Sequence, residues 1–415
     1  MHRPNITHAI LAYLLCCLAI FALTALMLEK PGIFPMSGFA GPQEVRDNTP
    51  AGIRFTGDSW RYIEGGRKLI SGKKLDPVQS SYRGYIALTA ASLYINRTLQ
   101  PLIVIQVLAA AAALFALMLM AHRANSAIPL PAAIATGALF AINPEFAAWH
   151  TAVMTESIYT SAVCIATVIA LAATKGNYTW KMPLALLAIV AIALIRPTGW
   201  ILIPAVLIFW ILDKVKAKWA KLLATILVVA AFLLLAATKP FNDGINTQSP
   251  TIKLYKGEVV WNEDLWRLEM PPADMEKTSI ADGLKYAIKN PIPSAHLALR
   301  RIVVMVLRIR PSYSFRHNAF LIAYHLPMTL LALLGMIIGR RKRHVQISSI
   351  LVAAHALVVA LTFNDNDGRF TLYITPLLDL LAVTGIAEII VRKFNLEVPP
   401  SPADLFDLEE EEDLE

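Results

Sequence analysis

The sequence predicts an all-α protein that crosses a membrane about ten times. Three observations predict it. The 415 residues are 56% hydrophobic with a mean hydropathy of +0.54. Only 16% are charged, where a soluble domain carries about a quarter. Finally, apolar runs of about twenty residues, the length that crosses a bilayer as a helix, recur along the chain. The net charge of +8 does not indicate nucleic acid, because the lysines and arginines sit in short clusters between apolar runs, as in the positive-inside pattern. Cys16, Cys17 and Cys164 lie within apolar stretches and give neither a disulfide framework nor metal-ligand spacing.

The N-terminal run "ITHAILAYLLCCLAIFALTALMLEK" exceeds a usual signal core and ends on no A-x-A site, so it reads as a retained first span. Predicted spans fall near 8–28, 99–121, 127–146, 152–173, 182–196, 199–212, 220–238, 319–339, 346–363 and 370–391. The fifth and sixth are short and meet at "IRPTGW", which reads either as a tight hairpin or as one broken helix. With ten alternating spans, Arg123, Lys175 and Lys181, "DKVKAKWAK", "GRRKRH" and "VRKF" all fall on one side, which the positive-inside rule makes cytoplasmic.

Two long segments, 29–98 and 239–318, then face outward. In the first, "SWRYIEGGRKLISG" and "RGYIALTAASLYINR" have apolar residues at helical spacing but are too short to span, so they read as helices at the membrane surface. In the second, "SIADGLKYAI" reads as a short capped helix ended by Asn290-Pro291, and 294–308 as an interfacial helix. One polytopic domain over 1–395 is followed by an acidic, proline-led tail, 396–415, predicted to be disordered and cytoplasmic. The sequons at Asn5, Asn96 and Asn177 are read as chance matches.

The candidate chemistry lies at the outer boundary. Asp58 in "TGDSWRYI" is placed either to cap the helix that follows or to act as a base. Glu156 lies a turn inside the fourth span, where an ionisable group is functional or paired, here with Arg196 or His150. Arg196 and Arg369 sit at outer span ends, where arginines commonly snorkel. All four map to one level on four segments, and Arg300, Arg301, Arg308 and Arg310 add basic charge there. Guanidinium forks match phosphate oxygens bidentately, so this rim suits a lipid phosphate. Asp379 and His355 are deeper and read as an interhelical hydrogen bond rather than a proton relay.

Several pieces, in order along nearly the whole chain, carry a resemblance: "GDSWRYIEGGRKLISG" with "YRGYIAL", "NPEFAAWHTAVMTESIY", "LIRPTGW", "GLKYAIKNPIPSAHLALRR" and "DGRFTLYITPLLDLLAVTGIAE". Together they resemble a polytopic glycosyltransferase of the GT-C fold, similar to bacterial relatives of the protein O-mannosyltransferases and of the lipid A aminoarabinose transferases. By this resemblance Asp58 takes the place of the first-loop catalytic acid, and Glu156, Arg196 and Arg369 take recurring polar positions around the donor. Tyr82 of "YRGYIAL", Arg300 and Arg301 join them as substrate-binding candidates. Many relatives carry two adjacent acids where this chain has Asp58-Ser59, which leaves a divalent metal open and no other cofactor implied.

The resemblance implies a polyprenyl-phosphate-linked sugar as donor and a glycan, lipid or protein as acceptor, with the site on the outer face of a bacterial inner membrane. A transporter or flippase of an anionic solute or lipid-linked sugar is the alternative, and would place charge at the midplane with repeat symmetry. A polymerase or ligase of lipid-linked glycans shares the donor, but the first-loop acid counts against it.

Overall fold

The computed structural model describes residues 6–30, 52–125, 127–174, 180–236, 250–261, 263–311, 313–365 and 368–396. Lys175, the sequons at Asn5 and Asn177, nearly all of the acidic tail and parts of both outer segments lie outside this range. Among the described residues there is no β-strand, and helices account for every regular element.

The principal helices are α1 (Ile6–Glu29), α2 (Ser59–Ile70), α3 (Arg83–Asn96), α4 (Gln100–Ala124), α5 (Pro129–Ala141), α6 (Pro144–His150), α7 (Thr155–Ala172), α8 (Lys181–Ala193), α9 (Leu202–Lys214), α10 (Lys218–Ala236), α11 (Ile280–Lys289), α12 (Pro291–Leu307), α13 (Phe315–Ile338), α14 (Arg343–Leu361) and α15 (Thr375–Lys393). Each of the ten apolar windows contains a helix. Six helices among the described residues are long and apolar enough to cross a membrane, or seven if the bent pair α5–α6 is one span. The window 127–146 is not straight: α5 and α6 meet at 58°. Pro144 cannot continue the hydrogen bonding of α5, and the Asn143 side chain accepts from the N–H groups of Glu145 and Phe146 to start a new helix. α15 is as long as the spanning helices but carries Asp379, Glu388, Arg392 and Lys393.

Helix directions follow from contacts at the two ends of the bundle. At one end Lys342 Nζ donates to the Ala124 carbonyl at 3.2 Å and pairs with Glu388, Lys214 Nζ donates to the Thr174 carbonyl at 2.8 Å, and Arg343 pairs with Asp213 at 2.8 Å. These contacts gather the ends of α4, α7, α9 and α15 with the start of α14. At the other end Gln106 donates to the carbonyls of His150 and Ala152 at 2.7 and 3.0 Å, and Arg54 donates to Met27 Sδ at 3.6 Å. A bridge between Arg54 and Ala152 ties the stretch before α2 to this end.

The same contacts resolve the junction at "IRPTGW". α7 and the segment 197–214 both begin at the second end and run in parallel, with Trp210 Nε1 bonded to the Ala170 carbonyl at 3.0 Å. α8 must therefore return between them, which makes 181–214 a hairpin of two helices. Its thirteen residues extend only about 20 Å at 1.5 Å per residue.

α2 and α3 form a close pair over the second end. The "EGG" of α2 permits it: a Cβ at Gly66 would lie 3.2 Å from the Ala90 nitrogen, and one at Gly65 would lie 2.7 Å from Ile86 Cδ1. Tyr62 and Tyr85, both fully buried, meet edge to face at 4.9 Å. Tyr85 then donates to Gln106 Oε1 at 2.9 Å and ties the α2–α3 pair to α4.

Candidate functional site

Four elements distant in sequence bring acids and arginines together at the second end of the bundle. Asp58 precedes α2, Glu156 lies in the first turn of α7, Arg196 precedes the 3₁₀ turn Pro197–Ile201, and Arg369 opens the short helix Arg369–Leu372. Arg196 Nη1 donates to Glu156 Oε1 and to Thr155 Oγ1, both at 2.7 Å. Tyr373 OH donates to the same Glu156 oxygen at 3.2 Å. Arg369 Nη1 lies 3.8 Å from Glu156 and donates to Asp58 Oδ2 at 3.2 Å. Its Nε and Nη2 form a two-pronged contact with Asp365, each at 2.6 Å.

Exposure grades this cluster from the interior outward. Glu156 is 0% exposed, Arg196 8%, Arg369 13% and Asp58 34%. The buried pair is anchored and the acid at the mouth is reachable. The Arg196 guanidinium also lies over the rings of Tyr373 and Phe370, at 4.9 and 5.4 Å from their centroids, which favours the charge where water is excluded. Burial opposes the charge on Arg369, yet Asp365, Glu156 and Asp58 hold its pKa well above the ordinary value.

Asp58 does not cap α2. It occupies the N-cap position with αR backbone angles and makes no side-chain cap bond. Its other oxygen, Oδ1, pairs with Arg61 at 3.2 Å, and Arg61 in turn lies 5.6 Å over the Tyr82 ring. Tyr82 therefore lines the same region. Glu156 takes the Arg196 partner; His150 bonds Ser157 instead, at 2.7 Å.

Arg300 and Arg301 are not brought to this cluster. Arg300 is exposed on α12. Arg301 is buried and donates to the main-chain carbonyls of Glu258, Ala360 and Lys253 at 2.9, 3.0 and 3.3 Å. Burial pulls its pKa down to about 9, against the opposing charge of Glu258. Its donors fasten the stretch Lys253–Glu258 to the end of α14.

The deeper pair separates as well. His355 Nε2 lies 3.2 Å from Tyr159 OH, an interhelical bond, while Asp379 Oδ2 has no hydrogen-bond partner among the described residues. Residues not singled out from the sequence complete the site: Asp365, Tyr373, Thr155 and Arg61. Asp365 had a signal, an acid four residues before an arginine in "DNDGRF". Gly368, at φ +67°, breaks the helical path between them, so the spacing alone does not imply contact.

Among the described residues no group of three His, Cys, Asp or Glu side chains is arranged to hold a metal ion. Asp58, Glu156 and Asp365 each face a guanidinium instead. This donor set does not fit a divalent cation. No family model matches the chain, and no curated protein matches it.

Proposed function

We propose that this protein is a membrane glycosyltransferase that moves a sugar from a polyprenyl-phosphate donor to an acceptor hydroxyl at the outer face of the membrane. The observation that carries the reading is the contact of Asp58 with Arg369 at the mouth of a cluster assembled from four outer segments. The acid sits beside guanidinium groups suited to phosphate, and its exposure leaves it open to an acceptor. The GT-C resemblance of the sequence points the same way. The ten-span topology belongs to this proposal, supported by helix directions and by the short basic loops of the sequence at the end opposite the site. That end is cytoplasmic in our reading, and the site faces the periplasm or outside.

The chemistry follows from the placement. Asp58 accepts the proton of the acceptor hydroxyl as its oxygen attacks the anomeric carbon. The bond between that carbon and the phosphate oxygen breaks, and its electron pair leaves with the polyprenyl phosphate. Arginine stabilises the charge on the departing phosphate. Because phosphate is already a stable anion, no protein acid is needed opposite Asp58, unlike glycoside hydrolysis.

One observation favours the rival transporter or flippase: Asp379 Oδ2 inside α15 has no hydrogen-bond partner among the described residues. The test is to supply the purified protein in nanodiscs with a panel of polyprenyl-phosphate sugars and short glycan, lipid and peptide acceptors. Release of polyprenyl phosphate with formation of a glycosylated product is expected. Absence of release across the panel, with movement of the lipid-linked sugar between leaflets in proteoliposomes, would replace the enzyme reading with the flippase.

A further inference from the structure

Arg369 distributes its donors unequally. Nε and Nη2 are both held by Asp365 at 2.6 Å, whereas Nη1 reaches Asp58 only at 3.2 Å and Glu156 at 3.8 Å. Asp365 is itself fixed from behind, because Arg310 donates to its carbonyl through Nε and Nη2 at 3.0 and 2.5 Å. The neighbouring Asn364 is locked by Trp261 N–H to its carbonyl at 2.8 Å and by its own N–H to the Val259 carbonyl at 2.9 Å. Glu156 already accepts from Arg196 and Tyr373. Asp58 is the acid that can give way. It is the most exposed of the three, and Arg61 in the first turn of α2 is left to it as a second partner.

We propose that Asp365 is a positioning residue that fixes the Arg369 guanidinium by two of its nitrogens and turns the Nη1 edge toward Asp58. Asp58 takes that edge in the resting protein, and the donor phosphate takes it when bound. Phosphate and Asp58, both anions, then compete for the Nη1 edge of one guanidinium. Arrival of the phosphate releases the carboxylate to accept the acceptor's proton, so the lipid donor binds before the acceptor. This inference rests on the reading that a polyprenyl phosphate docks at Arg369.

The competition makes an unusual demand: removing the proposed base should improve donor binding. Binding of a short-chain polyprenyl phosphate to protein in nanodiscs is measured by native mass spectrometry for the wild type, Asp58→Asn, Asp365→Asn and Arg369→Gln. Asp58→Asn should bind about tenfold tighter, since a neutral amide competes weakly for a charge-assisted donor. Asp365→Asn should bind about tenfold weaker, because Arg369 is no longer held. Asp58→Asn binding no tighter than wild type, while Arg369→Gln loses binding, would overturn the competition. Wild-type binding by Asp365→Asn would overturn its positioning role. Undiminished binding by Arg369→Gln would instead overturn the docking reading beneath both. If Asp365→Asn does not fold, the Asp58→Asn measurement decides the competition by itself.

Discussion

Asp58 makes no side-chain bond to the main chain at the start of α2, so Asp58→Asn removes an ion-pair partner of Arg61 and Arg369 rather than a cap. Its pairs with Arg61 and Arg369 are partly exposed, and such pairs contribute up to about 1 kcal/mol. The melting temperature should therefore change little. If Asp58 takes the acceptor's proton, turnover at saturating donor should fall by about two to four orders of magnitude. Steady-state transfer assays check this, and full turnover would remove the base assignment. Glu156 should behave in the opposite way. It is buried against Arg196, Tyr373 and Thr155, and Glu156→Gln leaves the Arg196 charge uncompensated. Breaking a buried pair costs about 3–5 kcal/mol, so this variant should melt well below the wild type in detergent, whatever its effect on turnover. Equal melting of the two variants would mean that the 2.7 Å pair contributes nothing to the fold. The buried positions were legible as pairing candidates because an acid within an apolar run requires a partner. Tyr373 and Thr155 were not, because a hydroxyl in such a run has ordinary uses and only the fold shows which acid it meets.

At the scale of elements, hydrophobic length located the long helices well but could not report how they bend or approach. The α5–α6 bend was encoded by Asn143-Pro144 within a run that otherwise looks continuous, and "IRPTGW" did not distinguish a hairpin from a broken helix until contacts gave the directions. Close approach is equally hidden, since a glycine in an apolar run says nothing of its neighbour. Gly335 of α13 is a case in point: a Cβ there would lie 2.0 Å from the Leu381 carbonyl oxygen of α15, and one at Gly385 would lie 2.9 Å from the Gly335 nitrogen. The obstacle is backbone, so no side-chain rotation relieves it, and small residues are what allow membrane helices to come this near. Gly335→Ala must push α13 away from α15. Overpacking of this kind costs about 1–3 kcal/mol or more. Gly335→Ala should lower the melting temperature clearly, while Gly57→Ala, whose Cβ would meet nothing within 4 Å, should not. A Gly335→Ala protein as stable as Gly57→Ala would show that the two helices are not in backbone contact.

For the whole molecule, two groups of charged contacts mark the two ends of the bundle. Arg343, Lys214 and Lys342 meet Asp213, Glu388 and the carbonyls of Thr174 and Ala124 at one end. The Asp58–Arg369 and Glu156–Arg196 pairs lie at the other. Single cysteines at Lys74, Lys277, Lys216 and Arg340, introduced in a background lacking Cys16, Cys17 and Cys164, test whether a membrane separates the two ends. All four positions are exposed in the fold, so access depends on the side of the membrane rather than on burial. Lys74 follows α2 and Lys277 precedes α11, both on the outer segments; Lys216 joins α9 to α10, and Arg340 joins α13 to α14. Positive-inside bias sets the basic end in the cytoplasm. A membrane-impermeant maleimide applied to intact cells should label the cysteines at 74 and 277 and leave those at 216 and 340 unreacted until the membrane is opened with detergent. The pair at 216 and 340 is informative together because α10 and the second outer segment lie between them: an even number of crossings in 218–338 keeps both on one side. Labelling of only one of the two would remove a span from the ten, and labelling of both with protection at 74 and 277 would invert the protein and place the Asp58 site in the cytoplasm.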